Sequence, residues 1–171
     1  QKDAVIGYLA QNQDIDSAKS ILEEMQDAKK DGITLVVCSP YRDMSRQDML
    51  FNRKIKNYMR KNVSFLEAYK KTAQAVTIPG ASEHQIGLAL DIISNTYTAL
   101  EEGFADTAAG KWLAAHCQDY GFILRYPKGK EEITGIEFEP WHFRYVGKDA
   151  ATIIMKKNLT LEEFVQRVRQ Q

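Results

Sequence analysis

The stretch "SEHQIGLALDIIS" (residues 82–94) joins a polar turn to an apolar run that is interrupted by one acid, Asp91. The apolar run follows Gly87 and predicts a buried strand. A carboxylate inside such a strand is costly to bury unless it is paired with a cation or bound to a metal. Asp91 therefore marks either a buried ion pair or a metal site, and His84 in the preceding turn adds a second residue type that metals bind.

Helical patterns and short apolar runs flank this strand on both sides. Amphipathic periodicity predicts helices over 16–30, from Ser45 to about Lys61, from Ser64 to about Ala75, over 107–121 and after Thr160. The run "ITLVVC" (33–38) predicts a central strand buried on both faces, and segments near 122–126, 134–138 and 142–146 predict the strands of a meander. Because helices and strands do not alternate regularly, the pattern indicates an α+β fold with a small, mainly antiparallel sheet.

The composition is that of one ordinary globular domain of 171 residues. Because 23 Lys and Arg balance 23 Asp and Glu, no net field attracts nucleic acid or an anionic membrane. No apolar run approaches the roughly 18–20 residues that span a bilayer, and the stretch "QKDAVIGYLAQNQD" lacks the basic and apolar regions of a signal peptide. Cys38 and Cys117 lack CxxC spacing and are interpreted as two buried thiols, with a single disulfide left open.

The scarce histidines are the candidates for metal chemistry. A catalytic zinc site needs about three His, Asp, Glu or Cys ligands and one open position. The chain has 3 His, and His84, Asp91 and His142 supply a set of two histidines and one carboxylate. Glu139 lies three residues before His142 in the aromatic segment "FEPWHFRY" and is the candidate general base if these residues bind a metal.

Spacing alone leaves ordinary structural roles open for these residues. A lone histidine is more often a core or surface residue than a ligand, and that is the favoured interpretation of His116 on its predicted helix. An ion pair of Asp91 with Arg42 or Arg125 would equally explain an acid in an apolar strand.

The loop "CSPYRDMSRQ" (38–47) follows a predicted strand and carries Tyr41, Arg42 and Gln47. An arginine at this place can bind a carboxylate at two points or stabilise an oxyanion, and a glutamine can fix a peptide group. A surface arginine and an exposed helix amide remain the alternative. The chain has no SxxK, GxSxG, KTG, HExxH, GxGxxG or Walker sequence, which argues against serine nucleophiles and nucleotide binding.

Taken together and in this order, three motifs resemble the VanY-type D-alanyl-D-alanine carboxypeptidases, a zinc peptidase family that includes L,D-carboxypeptidases of the cell wall. "SPYRDMSRQ" is similar to the family's S-x-Y-R with a later Gln, "SEHQIGLALD" to S-x-H-x-x-G-x-A-x-D, and "EPWHFRYVG" to E-x-W-H. The likeness covers roughly residues 33–147 and implies one zinc carboxypeptidase domain over 1–171 with the Hedgehog/DD-peptidase-like fold. Pro40, where the family commonly has glycine, is a departure that concerns loop shape.

The resemblance also implies a role for each matching residue. It implies that His84, Asp91 and His142 bind one zinc ion per chain, that Glu139 is the catalytic base and that Arg42 stabilises the developing oxyanion. The implied substrate-binding residues are Tyr41, Gln47, Ser82, Arg125, Tyr126 and Trp141.

The implied activity is hydrolysis of the terminal peptide bond of a peptidoglycan stem peptide that ends in D-alanine. Such a substrate implies an extracytoplasmic protein, secreted or anchored at the bacterial cell wall by a segment absent from this chain. Neither nucleic acid nor an obligate protein partner is expected. The alternatives are an L,D-carboxypeptidase that acts on tetrapeptide stems, a dipeptidase, and a non-catalytic peptidoglycan-binding module of the same fold.

Overall fold

The computed structural model of the chain describes residues 13–170. Within this range the α-helices are Ile15–Lys30 (α1), Met44–Met59 (α2), Phe65–Val76 (α3), Ala108–His116 (α4), Glu131–Thr134 (α5), Lys148–Lys156 (α6) and Leu161–Arg169 (α7). The strands are Leu35–Ser39 (β1), Ala89–Ser94 (β2), Phe122–Leu124 (β3) and His142–Tyr145 (β4). Short 3-10 helices span Glu83–Ile86, Glu102–Asp106 and Cys117–Tyr120.

The four strands of the described range form one antiparallel sheet in the order β1-β2-β4-β3. Helices surround this sheet without a regular alternation of strand and helix. The α+β fold with a small antiparallel sheet is therefore confirmed. The single domain predicted over 1–171 includes residues outside the described range and stays a prediction.

β2 lies inside the sheet between β1 and β4, and all six of its residues are buried. Because side chains alternate along a strand, Leu90 and Ile92 enter the apolar core while Asp91 points to the opposite face. The register of β2 and β4 places Asp91 directly opposite His142. Strand pairing thus brings two candidate ligands onto one face of the sheet.

The main apolar core joins the other face of the sheet to α1 and α4. Phe104, Leu113 and Phe122 are fully buried in it, and each contributes about 1.5–3 kcal/mol by leaving water. This packing fixes the sheet from one side, so that the polar face keeps a defined geometry.

The run "ITLVVC" forms β1, but the prediction of a central strand buried on both faces was wrong. Among the strands that the structure describes, β1 lies at the edge and pairs with β2 alone, and its residues alternate between buried or half-buried and exposed. Leu35 and Val37 face the core, whereas Val36 and Cys38 are exposed. An apolar run of this length predicts a strand, but it does not predict whether the strand lies at the edge or in the interior of the sheet.

The meander of three strands was also wrong in its middle member. The segment 134–138 contains no strand: Glu131–Thr134 is a single helical turn, which ends at Gly135 with φ +73°. β3 and β4 instead pair directly with each other. The β-branched residues around Gly135 suggest a strand by composition, but a glycine in the left-handed conformation ends a helical turn.

The helix ends follow the capping chemistry that the sequence indicates. The Ser64 side chain accepts from the Glu67 backbone N–H at the start of α3, and Thr160 forms a capping box with Glu163 at the start of α7. The predicted helix over 107–121 divides into α4 and the 3-10 helix Cys117–Tyr120. It ends at Gly121, whose φ is +87° and where a side chain would collide with the Tyr145 ring.

Both cysteines are free thiols, Cys117 buried and Cys38 exposed. The interpretation of two buried thiols therefore holds for Cys117 alone. Among the helices that the structure describes, none combines the length and apolar character needed to cross a membrane.

α1 buries a carboxyl group, Glu24, whose two oxygens have no hydrogen-bond partner among the described residues. Burial, with a smaller effect from the charge of Asp119, raises the pKa of Glu24 well above its ordinary value. The folded chain therefore keeps this proton at pH values where the unfolded chain has released it. The contribution of the protonated Glu24 to the free energy of unfolding is complete below the pKa that Glu24 has in the unfolded chain. It is lost, by ~1.4 kcal/mol per pH unit, as the pH rises toward the pKa of Glu24 in the folded chain.

We expect Glu24→Gln to remove this pH dependence. In urea unfolding, the variant should gain stability relative to the parent as the pH rises above the ordinary glutamate pKa of about 4.3, because it has no proton to lose. Glu23→Gln, at the exposed neighbouring position, is the matched control and should follow the parent. If the difference in unfolding free energy between Glu24→Gln and the parent stayed constant across this pH range, the proposal that the buried carboxyl group is neutral would be contradicted.

Candidate metal centre

The three predicted ligands come together in the structure. His84 lies in the 3-10 turn Glu83–Ile86, Asp91 in β2 and His142 in β4, and all three are buried. Asp91 Oδ1 is 3.2 Å from His84 Nε2 and 3.3 Å from His142 Nδ1. The three candidate ligand atoms lie within 4.8 Å of one another, a spacing that suits coordination of one metal ion.

The His84 ring is oriented by the backbone of the preceding loop. His84 Nδ1 is 2.8 Å from the carbonyl oxygen of Pro40. A carbonyl oxygen can only accept, so Nδ1 carries the hydrogen and Nε2 keeps its lone pair, 3.2 Å from both Arg42 Nη2 and Asp91 Oδ1. The turn ends at Gly87 with φ +72°, a conformation that glycine adopts without strain before the chain enters β2.

The two oxygens of Asp91 have different surroundings. Oδ2 accepts a hydrogen bond from Arg42 Nη2 at 2.5 Å, so the ion pair with Arg42 that the sequence left open is present. Oδ1 is buried and has no hydrogen-bond partner within residues 13–170. An unpartnered carboxylate oxygen facing two imidazole nitrogens fits a metal ligand, and two histidines with one carboxylate form a donor set that occurs in catalytic zinc sites. The residues therefore fit the metal that the sequence predicts.

The charges in this cluster depend strongly on each other. Burial favours the neutral form of His142, but the carboxylates of Asp91 and Glu83 outweigh it and raise the pKa of His142 to about 9. Burial would also raise the pKa of Asp91, yet the adjacent His84 and His142 hold it below its ordinary value. For His84 burial dominates and lowers the pKa. The pocket thus concentrates carboxylates that attract a cation.

Glu139 lies beside these ligands because the chain turns tightly at Pro140. The backbone N–H of His142 donates to the Glu139 carbonyl oxygen, and Glu139 Oε2 is 3.4 Å from His142 Nδ1. The carboxyl group is buried, which raises the pKa of Glu139 to about 8. A group with such a pKa can take up and release a proton near neutral pH.

A cavity of about 300 Å³ opens over the cluster. Of the predicted site residues, those that line it are Arg42, Ser82, His84, Asp91, Tyr126, Glu139, Trp141 and His142. α2 forms a further wall of the cavity, to which it contributes Leu50, Arg53, Lys54 and Asn57. These four residues were not predicted from the sequence as part of the site, although they follow the i, i+3, i+4, i+7 spacing of one helix face.

Three predicted substrate contacts lie elsewhere. Gln47 is fully buried, its Oε1 accepts from Arg42 Nη1 at 3.3 Å and its Nε2 donates to the carbonyl oxygen of Thr77 at 3.0 Å. Arg125 is buried and engaged by carboxylates, and Tyr41 is half-buried outside the cavity lining. Gln47 therefore contacts Arg42 instead of lining the cavity.

The comparison with protein families gives one match that spans most of the chain. The family model described as VanY, D-alanyl-D-alanine carboxypeptidase, matches residues 12–148. The putative carboxypeptidase YodJ of Bacillus subtilis is 46% identical over 154 residues, which cover 89% of this chain and 53% of the relative. A D-alanyl-D-alanine carboxypeptidase of Enterococcus faecalis is 37% identical over 169 residues, which cover 96% of this chain and 60% of the relative. The chain thus spans a little over half the length of these curated relatives.

Solved structures give the same relationship. VanYB in complex with D-alanine-D-alanine has a TM-score of 0.82 at 36% identity, covering 90% of this chain and 82% of that one. A VanY D,D-pentapeptidase mutant in complex with Zn(II) has a TM-score of 0.80 at 36% identity, with coverages of 90% and 83%. The LD-carboxypeptidase LdcB has a TM-score of 0.79 at 42% identity, with coverages of 90% and 68%. The chain therefore belongs to the VanY family of D-alanyl-D-alanine carboxypeptidases.

Proposed function

We propose that this chain forms a zinc-dependent D-alanyl-D-alanine carboxypeptidase domain that hydrolyses the terminal peptide bond of peptidoglycan stem peptides. The observation that carries the proposal is the buried set of His84, Asp91 and His142, with the unpartnered Asp91 Oδ1 facing both rings and Glu139 beside them. The names of the relatives support zinc as the metal and a D-alanine-terminated peptide as the substrate.

His84 Nε2, Asp91 Oδ1 and His142 Nδ1 are the atoms that would hold the zinc ion. When bound, zinc supplies a Lewis acid and lowers the pKa of a water molecule toward about 7. Glu139, in the cavity next to His142, accepts the proton of the attacking water and delivers it to the departing amine of D-alanine. A buried carboxyl group is suited to both transfers because its neutral form is already stabilised there.

Arg42 is proposed to stabilise the negative charge that develops on the peptide carbonyl oxygen. Its guanidinium group lies in the cavity wall, 3.2 Å from His84 Nε2, and is held by Asp91, by Ser39 Oγ at 2.7 Å and by Gln47. Because these contacts fix the guanidinium group before substrate binds, little reorganisation is needed during the reaction. In this scheme Gln47 positions Arg42 and does not touch the peptide.

The cavity walls are proposed to bind the stem peptide. Ser82, Tyr126 and Trp141 line the cavity together with the proposed metal ligands, and Arg53 and Lys54 of α2 add cations to its lining. A stem peptide is the only partner in this proposal. We also propose that the protein acts outside the cytoplasmic membrane, because its proposed substrate is part of the cell wall.

The competing activity is that of an L,D-carboxypeptidase, which the 42% identity to LdcB favours. We expect the domain to release D-alanine from a pentapeptide stem at least about tenfold faster, by kcat/KM, than from a tetrapeptide stem. A tripeptide stem, which lacks a terminal D-alanine, is the control and should stay intact. Preferential cleavage of the tetrapeptide would replace the D,D-assignment by the L,D-assignment.

A non-catalytic peptidoglycan-binding module would give a different result in the same assay. It would leave all three stems intact. Metal analysis separates the two further, since the enzyme should carry zinc near one equivalent per chain.

A further inference from the structure

The C-terminal helix α7 is connected to the candidate metal centre by a chain of ion pairs. Glu162 of α7 binds both terminal nitrogens of Arg125, at 2.9 Å and 2.6 Å. Arg125 Nε in turn donates to Glu83 Oε1 at 2.7 Å, and Arg144 Nη1 lies 3.0 Å from the same oxygen. Glu83 is thus held by two arginines, one of which is fixed by α7.

The second oxygen of Glu83 faces a metal ligand. Glu83 Oε2 is 3.5 Å from His142 Nε2, and among the described residues both atoms are buried without a hydrogen-bond partner. The other ring nitrogen, His142 Nδ1, faces Asp91 Oδ1. An imidazole that binds a metal through Nδ1 carries its hydrogen on Nε2, which is then a donor directed at Glu83.

We propose that Glu83 is a positioning residue for His142: it accepts the Nε2–H hydrogen bond and directs Nδ1 to the metal, while Glu162 fixes Glu83 through Arg125. His84 is oriented in the corresponding way by the Pro40 carbonyl oxygen, so each histidine would have its own orienting acceptor. Glu162 lies beyond residues 12–148, the part of the chain that the family model matches. α7 therefore supplies a contribution to the metal centre from outside that match.

Removing such an orienting partner commonly costs about 10–100-fold in metal affinity. In Glu83→Gln the side-chain amide has one acceptor oxygen instead of two. If this oxygen keeps its contacts with Arg125 and Arg144, the amide nitrogen faces His142 Nε2–H. Both groups are then donors and cannot form a hydrogen bond. If the amide turns, the arginines lose their partner.

The inference rests on the proposed metal site but not on the peptide that is cleaved, and zinc affinity tests it. We expect competition with a chromophoric chelator to give a zinc Kd about 10–100-fold higher for Glu83→Gln than for the parent. Glu162→Gln should raise the Kd less, because Arg125 keeps its bond to Glu83. The visible spectrum of the cobalt(II)-substituted protein should change in the same order.

Two controls separate positioning from general destabilisation. Glu67→Gln removes a carboxylate that pairs with Lys71 in the first turn of α3, and it should leave the zinc Kd unchanged. If Glu162 acts through Glu83, adding Glu162→Gln to Glu83→Gln should have no further effect on the Kd, a non-additivity that independent structural damage would not produce. Glu162→Gln, at the periphery of the network, keeps the test available if Glu83→Gln does not fold.

The outcomes distinguish the two proposals. A folded Glu83→Gln or Glu162→Gln protein with the parent's zinc Kd and cobalt spectrum would overturn the positioning role and leave the proposed function intact. A parent protein that binds no zinc would overturn both.

Discussion

Glu139→Ala is expected to bind zinc like the parent protein and to lose hydrolysis, with kcat lower by about 10²–10⁴-fold. The carboxyl group lies beside the three proposed ligands, His84, Asp91 and His142, and is not one of them in this proposal. Its removal therefore leaves the metal held but deprives the attacking water of its proton acceptor. Zinc content and the rate of D-alanine release, measured on the same preparation, check both halves of this expectation.

Glu139→Gln is the matched control, since it keeps the size of the side chain and removes its capacity to accept the proton. It should be as inactive as Glu139→Ala. An active protein with either substitution would contradict the assignment of Glu139 as the general base. Loss of zinc from Glu139→Ala would instead make Glu139 a ligand.

His142→Ala is expected to lose zinc and activity together. The substitution removes one of three ligands and leaves Asp91 Oδ1 facing His84 alone. The protein should carry well below one equivalent of zinc after dialysis, and D-alanine release should fall at least as far as in Glu139→Ala. Metal analysis by atomic emission and the peptidase assay make this measurement.

His116→Ala is the control for this substitution. His116 is exposed and pairs with Asp119 on the far side of the core, away from the cavity. It should keep full zinc content and activity. A His142→Ala protein that retains stoichiometric zinc would show that the metal binds elsewhere.

The candidate metal cluster could be predicted from the sequence because its residues stand out there. Asp91 interrupts an apolar run, and a chain with 3 His leaves few candidates to join it. What the spacing could not supply was the pairing of β2 with β4, which sets Asp91 opposite His142. Only the family resemblance of the three motifs, taken in order, indicated that Asp91 and His142 belong to one site.

The roles of Gln47 and Arg125 were not predictable from the sequence in the same way. Their residue types suit peptide recognition, but each is engaged by groups that are remote in the chain. Gln47 binds the Thr77 carbonyl oxygen, and Arg125 binds Glu162, 37 residues away. Partners at such separations follow from tertiary packing, which local patterns do not encode.

The errors in the sheet have a related cause. β1 and β2 are both apolar runs, yet β1 lies at the edge and β2 inside the sheet. Strand propensity is a property of the run, whereas strand order depends on contacts between segments that are distant in the chain. The same limit applies to Glu83, whose charge is visible beside His84 but whose contact with His142 exists only in the folded chain.

The most direct test of the account measures the release of free D-alanine from a pentapeptide stem by the parent protein. The measurement is made on the zinc-loaded protein, after the metal is removed, and after zinc is restored. The account predicts release by the zinc-loaded protein, loss of release after treatment with a chelator, and recovery when one equivalent of zinc is added back. Release that continues at the same rate after complete removal of zinc would contradict it.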